Sequence, residues 1–201
     1  MKTHLKSLVF LSAMLAGLAL SAQKIYTTVP EQSKVAIKGT STLHDWQMDA
    51  KNFKTEMVLE EKGEKDLRIS GVSFSCKSSD VLGEQKLMNN KAHDALKVKQ
   101  FSDIKFNQSE VKMESANSNS FKGYVIGKLE IAGVSRNVEL PFSGEVNSGE
   151  DVSVSGSFRM KMSDYGIVPP SVMMGTIKTG DEITLEYSFM MQSEKALSAV
   201  K

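Results

Sequence analysis

Residues 152–162 read VSVSGSFRMKM, with Val152, Val154, Phe158, Met160 and Met162 on one parity and Ser153, Ser155, Ser157, Arg159 and Lys161 on the other. A period of two is the mark of a strand that buries one face and shows the other to water. EITLEYSFMM at 182–191 repeats it, setting Ile183, Leu185, Tyr187, Phe189 and Met191 against Thr184, Glu186, Ser188 and Met190. In FKGYVIGKLEIAG at 121–133, Phe121, Val125, Leu129 and Ile131 share a row with Gly123 and Gly127, and NVELPFSGEV at 137–146 aligns Val138, Leu140, Phe142 and Val146. Further strands are expected over 34–38, 44–50, 54–60, 67–76 and 103–113. Turns are expected at the Gly63 region, Ala116–Ser120, Gly133–Arg136 and Asn147–Asp151.

Only LGEQKLMNNKAHDALKV at 82–98 prefers a helix, with Met88, Ala92, Ala95 and Leu96 on one stripe. About eight one-sided strands and one helix make an all-β chain, arranged either as a two-sheet sandwich or as a sheet closed into a barrel. An eight-stranded barrel holds either interdigitated side chains or one small ligand, so the inward residues decide between a solid and a hollow interior. Ten methionines follow residue 22, and methionine either lines an adaptable apolar surface or fills an irregular core. DYGIVPPSVMMGTIKTGD at 164–181 is long for a connection between strands. Pro169 and Pro170 stiffen it and Met173 and Met174 make it apolar, so it is expected to close over a barrel mouth, the alternative being a plug packed into the core.

Residues 1–22 have the layout of a secretory signal peptide: Lys2 and Lys6, an apolar run from Leu8 to Leu20, then Ser21 and Ala22. The run is too short for a comfortable membrane span, so residues 23–201 are expected as a single exported domain, periplasmic or secreted, that does not span a membrane. Without residues 1–22 the chain keeps 23 of its 25 basic side chains against 24 acidic ones, a balance that argues against nucleic-acid binding. The lone Cys76 falls in the row Val72, Phe74, Cys76 and reads as a buried, inert thiol.

GTSTLHDW at 39–46 holds the residue types of a hydrolytic triad in Ser41, His44 and Asp45. Alternation places His44, Trp46 and Met48 on one face and Asp45 and Gln47 on the other, so the three do not converge. Val35 and Ile37 use odd positions and the later strand even ones, which calls for a bulge or bend near Gly39–Thr42. His44 and His93 are too few for a typical zinc site. His44 reads as a structural histidine beside the apolar interior, and His93 as a solvated one on the helix flank. No nucleophile elbow, phosphate loop or dinucleotide fingerprint is present, so neither a catalytic group, a cofactor nor a metal is expected.

Four pieces in order, SKVAIKGTSTLHDW, LKVKQFSDIKF, GKLEIAGVSRNVELPFSG and SDYGIVPPSVMMGTIKTGDEITLEYSF, resemble the YceI-like family of lipocalin-like bacterial envelope proteins associated with polyisoprenoid binding. The resemblance runs from Lys34 to Met191 and implies an extended antiparallel eight-stranded barrel with one short helix, enclosing a tunnel for an amphiphilic lipid. The expectation is then a non-enzymatic protein that stores or transports an isoprenoid or fatty-acyl chain. Alternation nominates Trp46, Phe74, Met88, Leu96, Phe106, Leu129, Phe158, Met160, Met162, Met173, Met174 and Phe189 as lining, with His44, Asp45, Tyr165 or the 164–181 loop near a polar head. The rivals are a lipid-modifying enzyme using His44 and a packed barrel acting as an envelope accessory or stress factor. A homodimer is left open.

Overall fold

A computed structural model describes residues 23–61, 67–117, 119–147 and 151–193. The expected signal peptide and the Gly63 turn lie outside the described residues. Twelve strands and one α-helix follow in order: β1 (Gln23–Thr28), β2 (Lys34–Ser41), β3 (Trp46–Ala50), β4 (Lys54–Glu61), β5 (Leu67–Lys77), β6 (Val81–Leu82), α1 (Lys86–Ala95), β7 (Asp103–Ala116), β8 (Ser120–Ile131), β9 (Val134–Val146), β10 (Val152–Lys161), β11 (Ser171–Val172) and β12 (Ile177–Ser193).

The sheet closes on itself as an eight-stranded antiparallel barrel through β1–β4–β5–β7–β8–β9–β10–β12 and back to β1. Along one stretch of its length β12 pairs with β2, Thr179 opposite Ser41 and Ser188 opposite Lys34; near its end it pairs with β1, Met191 opposite Thr28. A single turn of 3-10 helix at Pro30–Gln32 separates β1 from β2, so the two act as successive lengths of one stave. Their partners β4 and β3 form the neighbouring stave in the same way. Closure leaves no free sheet edge along that ring, which is how a sheet with a single apolar face avoids edge-to-edge pairing.

The alternation read from the sequence becomes the inside of this barrel. On β8, Phe121, Val125, Leu129 and Ile131 are buried while Lys122, Lys128 and Glu130 are exposed, and the inward row of β4 is Thr55, Met57 and Leu59. Phe121 and Phe142 meet at 6.0 Å between ring centroids. Phe53 contacts both Phe74 and Phe189, at 5.9 and 5.7 Å, knitting the stave containing β3 and β4 to β5 and β12.

Several local expectations are resolved or corrected. The parity change after Ile37, expected from a bulge or bend near Gly39–Thr42, comes from the bend: β2 runs on to Ser41, the chain reverses over 42–45, and β3 returns with Val35 opposite Ala50, Ile37 opposite Met48 and Gly39 opposite Trp46. Odd and even positions share a face because they are cross-strand partners. The β8–β9 turn is two residues, Ala132 and Gly133 at φ +50° and +78°, rather than Gly133–Arg136. Two left-handed residues suit the strand twist, and Gly133 is required twice over, since a Cβ there would stand 2.3 Å from the Phe101 ring.

The helix is shorter than 82–98. Leu82 belongs to β6, and Asn89 reaches back to accept from the Gly83 amide at 2.7 Å and donate to its carbonyl at 3.2 Å, anchoring the segment that precedes α1. His93 is half-buried rather than solvated, with Nε2 3.1 Å from the Val81 carbonyl. That contact and the Asn89 pair hold α1 against β6. Among the described residues no helix is long and apolar enough to cross a membrane.

Candidate functional site

The barrel is hollow. A cavity of about 1080 Å³ runs through it, with walls drawn from β2–β10, β12, α1 and the connection that contains β11. Voids in native cores are few and rarely exceed a water molecule, so this volume is not a packing defect.

Twelve of the fifteen residues nominated from the sequence stand on the cavity wall: His44, Trp46, Phe74, Met88, Leu96, Phe106, Leu129, Met160, Met162, Met173, Met174 and Phe189. Phe158 does not. It is half-buried, packed against the apolar core. Tyr165 is not at the mouth either. The 3-10 turn Met162–Tyr165 ends on Gly166 at φ +65°, and the tyrosine is 1 % exposed, with no partner for its hydroxyl. Burial and the neighbouring Asp164 push that phenol up to about 12.

The 164–181 connection is neither wholly a plug nor wholly a lid. Its first part packs down, with Ile167 buried and the Arg136 guanidinium donating to the Asp164 carbonyl at 2.8 Å. Asp181 accepts from the Ser163 hydroxyl and amide at 2.5 and 2.8 Å, which holds its carboxyl below the usual carboxylate range. Its second part, the β11–β12 hairpin, rises to the rim. There Met173 and Met174 both take left-handed backbone, at φ +52° and +54°, and both are exposed. Left-handed geometry costs an L-residue roughly 1–2 kcal/mol, so two bulky methionines occupy positions better suited to Asn and Gly.

Leu43, in the β2–β3 turn, and Leu87, in α1, are also exposed and also border the cavity. Three separate segments thus bring large apolar side chains to one opening. Two of them, the β2–β3 turn and the β11–β12 hairpin, are tied together: the Thr42 amide donates to the Lys178 carbonyl at 3.0 Å, and the Lys178 amide donates to the Thr42 hydroxyl at 3.2 Å.

The apparent triad is a turn. Ser41 donates its hydroxyl to the His44 carbonyl at 2.7 Å and accepts the Leu43 and His44 amides at 3.2 Å. The His44 imidazole lies 2.7 Å from the Asp45 carbonyl through Nδ1, and Asp45 is not on the cavity wall. Serine is bonded to backbone rather than to the ring, which is the ordinary use of a hydroxyl at a reversal. Among the described residues no three His, Cys, Asp or Glu side chains cluster so as to hold a metal ion.

The remaining polar wall residues are Ser41, Thr55, Gln85, Lys91, Ser171, Thr179 and Tyr187, whose hydroxyl is taken by the Pro141 carbonyl, and among the described residues no Asp or Glu joins them. Reading by strand alternation missed Lys91 and Gln85; Lys91 falls one turn after Met88 on the helix stripe, a spacing that marks it. It also missed Thr55. That residue is 4 % exposed and its hydroxyl has no hydrogen-bond partner, an omission that costs about 1–3 kcal/mol. Cys76 is on the wall and buried. Burial, reinforced by Asp80 and Asp103, pushes its thiol up to about 12, so it is an inert apolar surface.

None of the curated protein sequences matches the chain significantly. Solved structures share the fold. BcnA from Burkholderia cenocepacia superposes with a TM-score of 0.67 at 16 % identity, over 82 % of this chain and 99 % of its own. A polyisoprenoid-binding domain from Saccharophagus degradans, implicated in plant cell wall breakdown, gives 0.60 at 9 % identity, over 84 % and 98 %. A YceI protein from Campylobacter jejuni gives 0.51 at 21 %, over 70 % and 81 %. At such identities these likenesses speak to architecture alone. The family profile of the YceI-like domain matches residues 26–191, which spans the whole barrel from β1 into the end of β12, and the chain therefore belongs to the YceI-like family.

Proposed function

We propose that this protein is a non-enzymatic carrier, exported by the segment 1–22, that stores or transports an amphiphilic lipid by enclosing its isoprenoid or fatty-acyl chain in the barrel. The observation that carries the reading is the cavity of about 1080 Å³, with its largely aliphatic, aromatic and methionine wall. Ligand sites are commonly cavities of this order, mainly apolar with a few placed polar groups. Each methylene moved from water into such a wall gains about 0.8 kcal/mol, so a chain of ten carbons gains on the order of 8 kcal/mol before the cost of ordering. Flexible methionines at 48, 57, 88, 160, 162, 173, 174 and 191 let one wall fit chains of differing shape.

The exposed apolar rim makes a continuous path for such a chain from the opening to the interior, and the polar groups there, His44, Gln85 and Lys91, suit a head left near water. The polyisoprenoid-binding domain of Saccharophagus degradans, which shares the fold, is in keeping with the same ligand class. A lipid-modifying enzyme finds less support: the Ser41 hydroxyl is engaged by backbone, and among the described residues no carboxylate lines the cavity to orient His44. A packed barrel is at odds with the volume.

The test is thermal unfolding with and without long-chain isoprenoid alcohols and fatty acids. A ligand at one hundred times its Kd adds about 2.7 kcal/mol to stability, which raises Tm by several degrees. No shift with any chain lipid would sink the reading.

A further inference from the structure

Among the described residues the exposed large apolar side chains are Ile25, Leu43, Leu87, Val168, Met173 and Met174. They are not scattered. Leu43, Leu87, Met173 and Met174 all border the cavity, and Val168 belongs to the same 164–181 connection as the two methionines; Ile25, on β1, is off the wall. A monomeric surface rarely gathers apolar side chains into one patch without a partner for it. This gathering also works against local stability, since both methionines sit in left-handed backbone.

The charges around the patch select the partner. Lys86 precedes Leu87, Lys91 follows it by one helical turn, and Lys178 stands on β12 between the wall residues Ile177 and Thr179. All three lysines are exposed, and among the described residues none of them forms an ion pair. The carboxylates on the same segments, Asp45, Glu84 and Asp94, do not line the cavity. An apolar tip flanked by unpaired ammonium groups suits a bilayer interface, where apolar side chains enter the acyl boundary and lysines meet anionic head groups.

We propose that this rim docks on an anionic phospholipid surface, with Leu43, Leu87, Met173 and Met174 entering the interface and Lys86, Lys91 and Lys178 meeting the head-group phosphates. The inference rests on the lipid-carrier reading and goes beyond it, naming the surface at which cargo is exchanged. A chain that crosses open water is penalised about fourfold for each methylene exposed. Docking removes that crossing, because the acyl region of the bilayer then meets the apolar cavity wall directly.

The experiment measures co-sedimentation with vesicles of phosphatidylcholine alone and of equal parts phosphatidylcholine and phosphatidylglycerol. It is run on the wild-type protein, on Leu43→Ser with Leu87→Ser, and on Lys86→Glu with Lys178→Glu, and the rise in Tm given by geranylgeraniol is measured for each. The wild type is expected to pellet with the mixed vesicles and far less with phosphatidylcholine alone. Each lysine near an anionic surface contributes about fivefold, so the charge-reversed protein is expected to bind the mixed vesicles at least about tenfold more weakly while keeping its rise in Tm. The serine variant is expected to lose binding to both vesicles. A wild type that stays in solution with both vesicles yet is stabilised by geranylgeraniol overturns the docking and leaves the carrier reading standing. Vesicle binding that neither variant weakens also overturns it, by placing the contact on another face, as does a wild type that ignores vesicles and forms a dimer which the serine variant dissolves. Neither vesicle binding nor stabilisation overturns both readings.

Discussion

Trp46 fills the space that a side chain on Gly39 would need: a Cβ there would stand 2.2 Å from Trp46 Cζ2 and 2.6 Å from Cε2. The two residues are cross-strand partners in the β2–β3 hairpin, and the indole Nε1 donates to the Thr40 carbonyl at 2.9 Å. A missing side chain on one strand therefore fixes the one tryptophan of the chain on the cavity wall.

Gly39→Ala forces that indole out of place. Overpacking of this kind costs about 1–3 kcal/mol, so a loss of several degrees in Tm is expected. Tryptophan emission is expected to move to longer wavelength as the ring turns toward water. An unshifted spectrum with wild-type stability would mean that the indole is not held by Gly39.

The β11–β12 hairpin predicts a conflict between stability and uptake. Met173→Asn with Met174→Gly places residues that accept left-handed backbone where two methionines now stand. Relief of about 1 kcal/mol at each position is expected, read as a rise in Tm. Removal of the apolar rim is expected to weaken or slow lipid uptake in the same protein. Equal uptake in the variant would remove the rim from the proposed function.

Tyr187 binds the barrel from within, its hydroxyl donating to the Pro141 carbonyl of β9 while its ring stacks on Phe189 at 5.9 Å. Burial raises its ionisation above the ordinary tyrosine range. Tyr187→Phe leaves the Pro141 carbonyl without this partner and is expected to cost about 1–3 kcal/mol in denaturant unfolding, with the denaturant slope unchanged.

Cys76 makes a pH prediction whose sign follows from burial. Its folded thiol is pushed from the ordinary 9.0 up to about 12, so the neutral form is favoured in the fold. The associated stability is fully present below pH 9 and is lost as pH rises from there toward 12, because the unfolded chain ionises first. In the native protein at pH 8 the thiol is expected to react with a maleimide many times more slowly than in denaturant. Rapid native labelling would contradict the buried placement.

Strict alternation made β8, β9, β10 and β12 legible, because one face of each is apolar and turned toward the core or the cavity along most of its length. β1 was not legible. Its six residues, QKIYTT, offer Ile25 and Tyr26 as neighbours of opposite parity, the first 41 % exposed and the second buried, so no repeat exists to count. Its place as the strand that closes the ring comes from pairing with β12 and β4, which is a property of the whole sheet. The parity change after Ile37 was visible, but the choice between a bulge and a bend was not, since a hairpin reversal and an inserted residue leave the same trace in a single strand.

The cavity wall was legible where large apolar residues mark it, as at Trp46, Phe74, Phe106 and Met160. Phe158 shows the limit. It shares its row with Val154 and Met160, yet only those two border the void, because local packing rather than parity decides which inward residue faces open space. Thr55 carried no signal at all. A threonine in a strand is ordinary, and only the lack of a partner inside an apolar wall sets it apart.

The most direct measurement is native mass spectrometry of the folded protein incubated with geranylgeraniol and, separately, with a long-chain fatty acid. A one-to-one complex that survives transfer and disappears on unfolding is the expected result. A spectrum that shows only the bare chain with every long-chain lipid offered would contradict the proposal that this barrel exists to hold one.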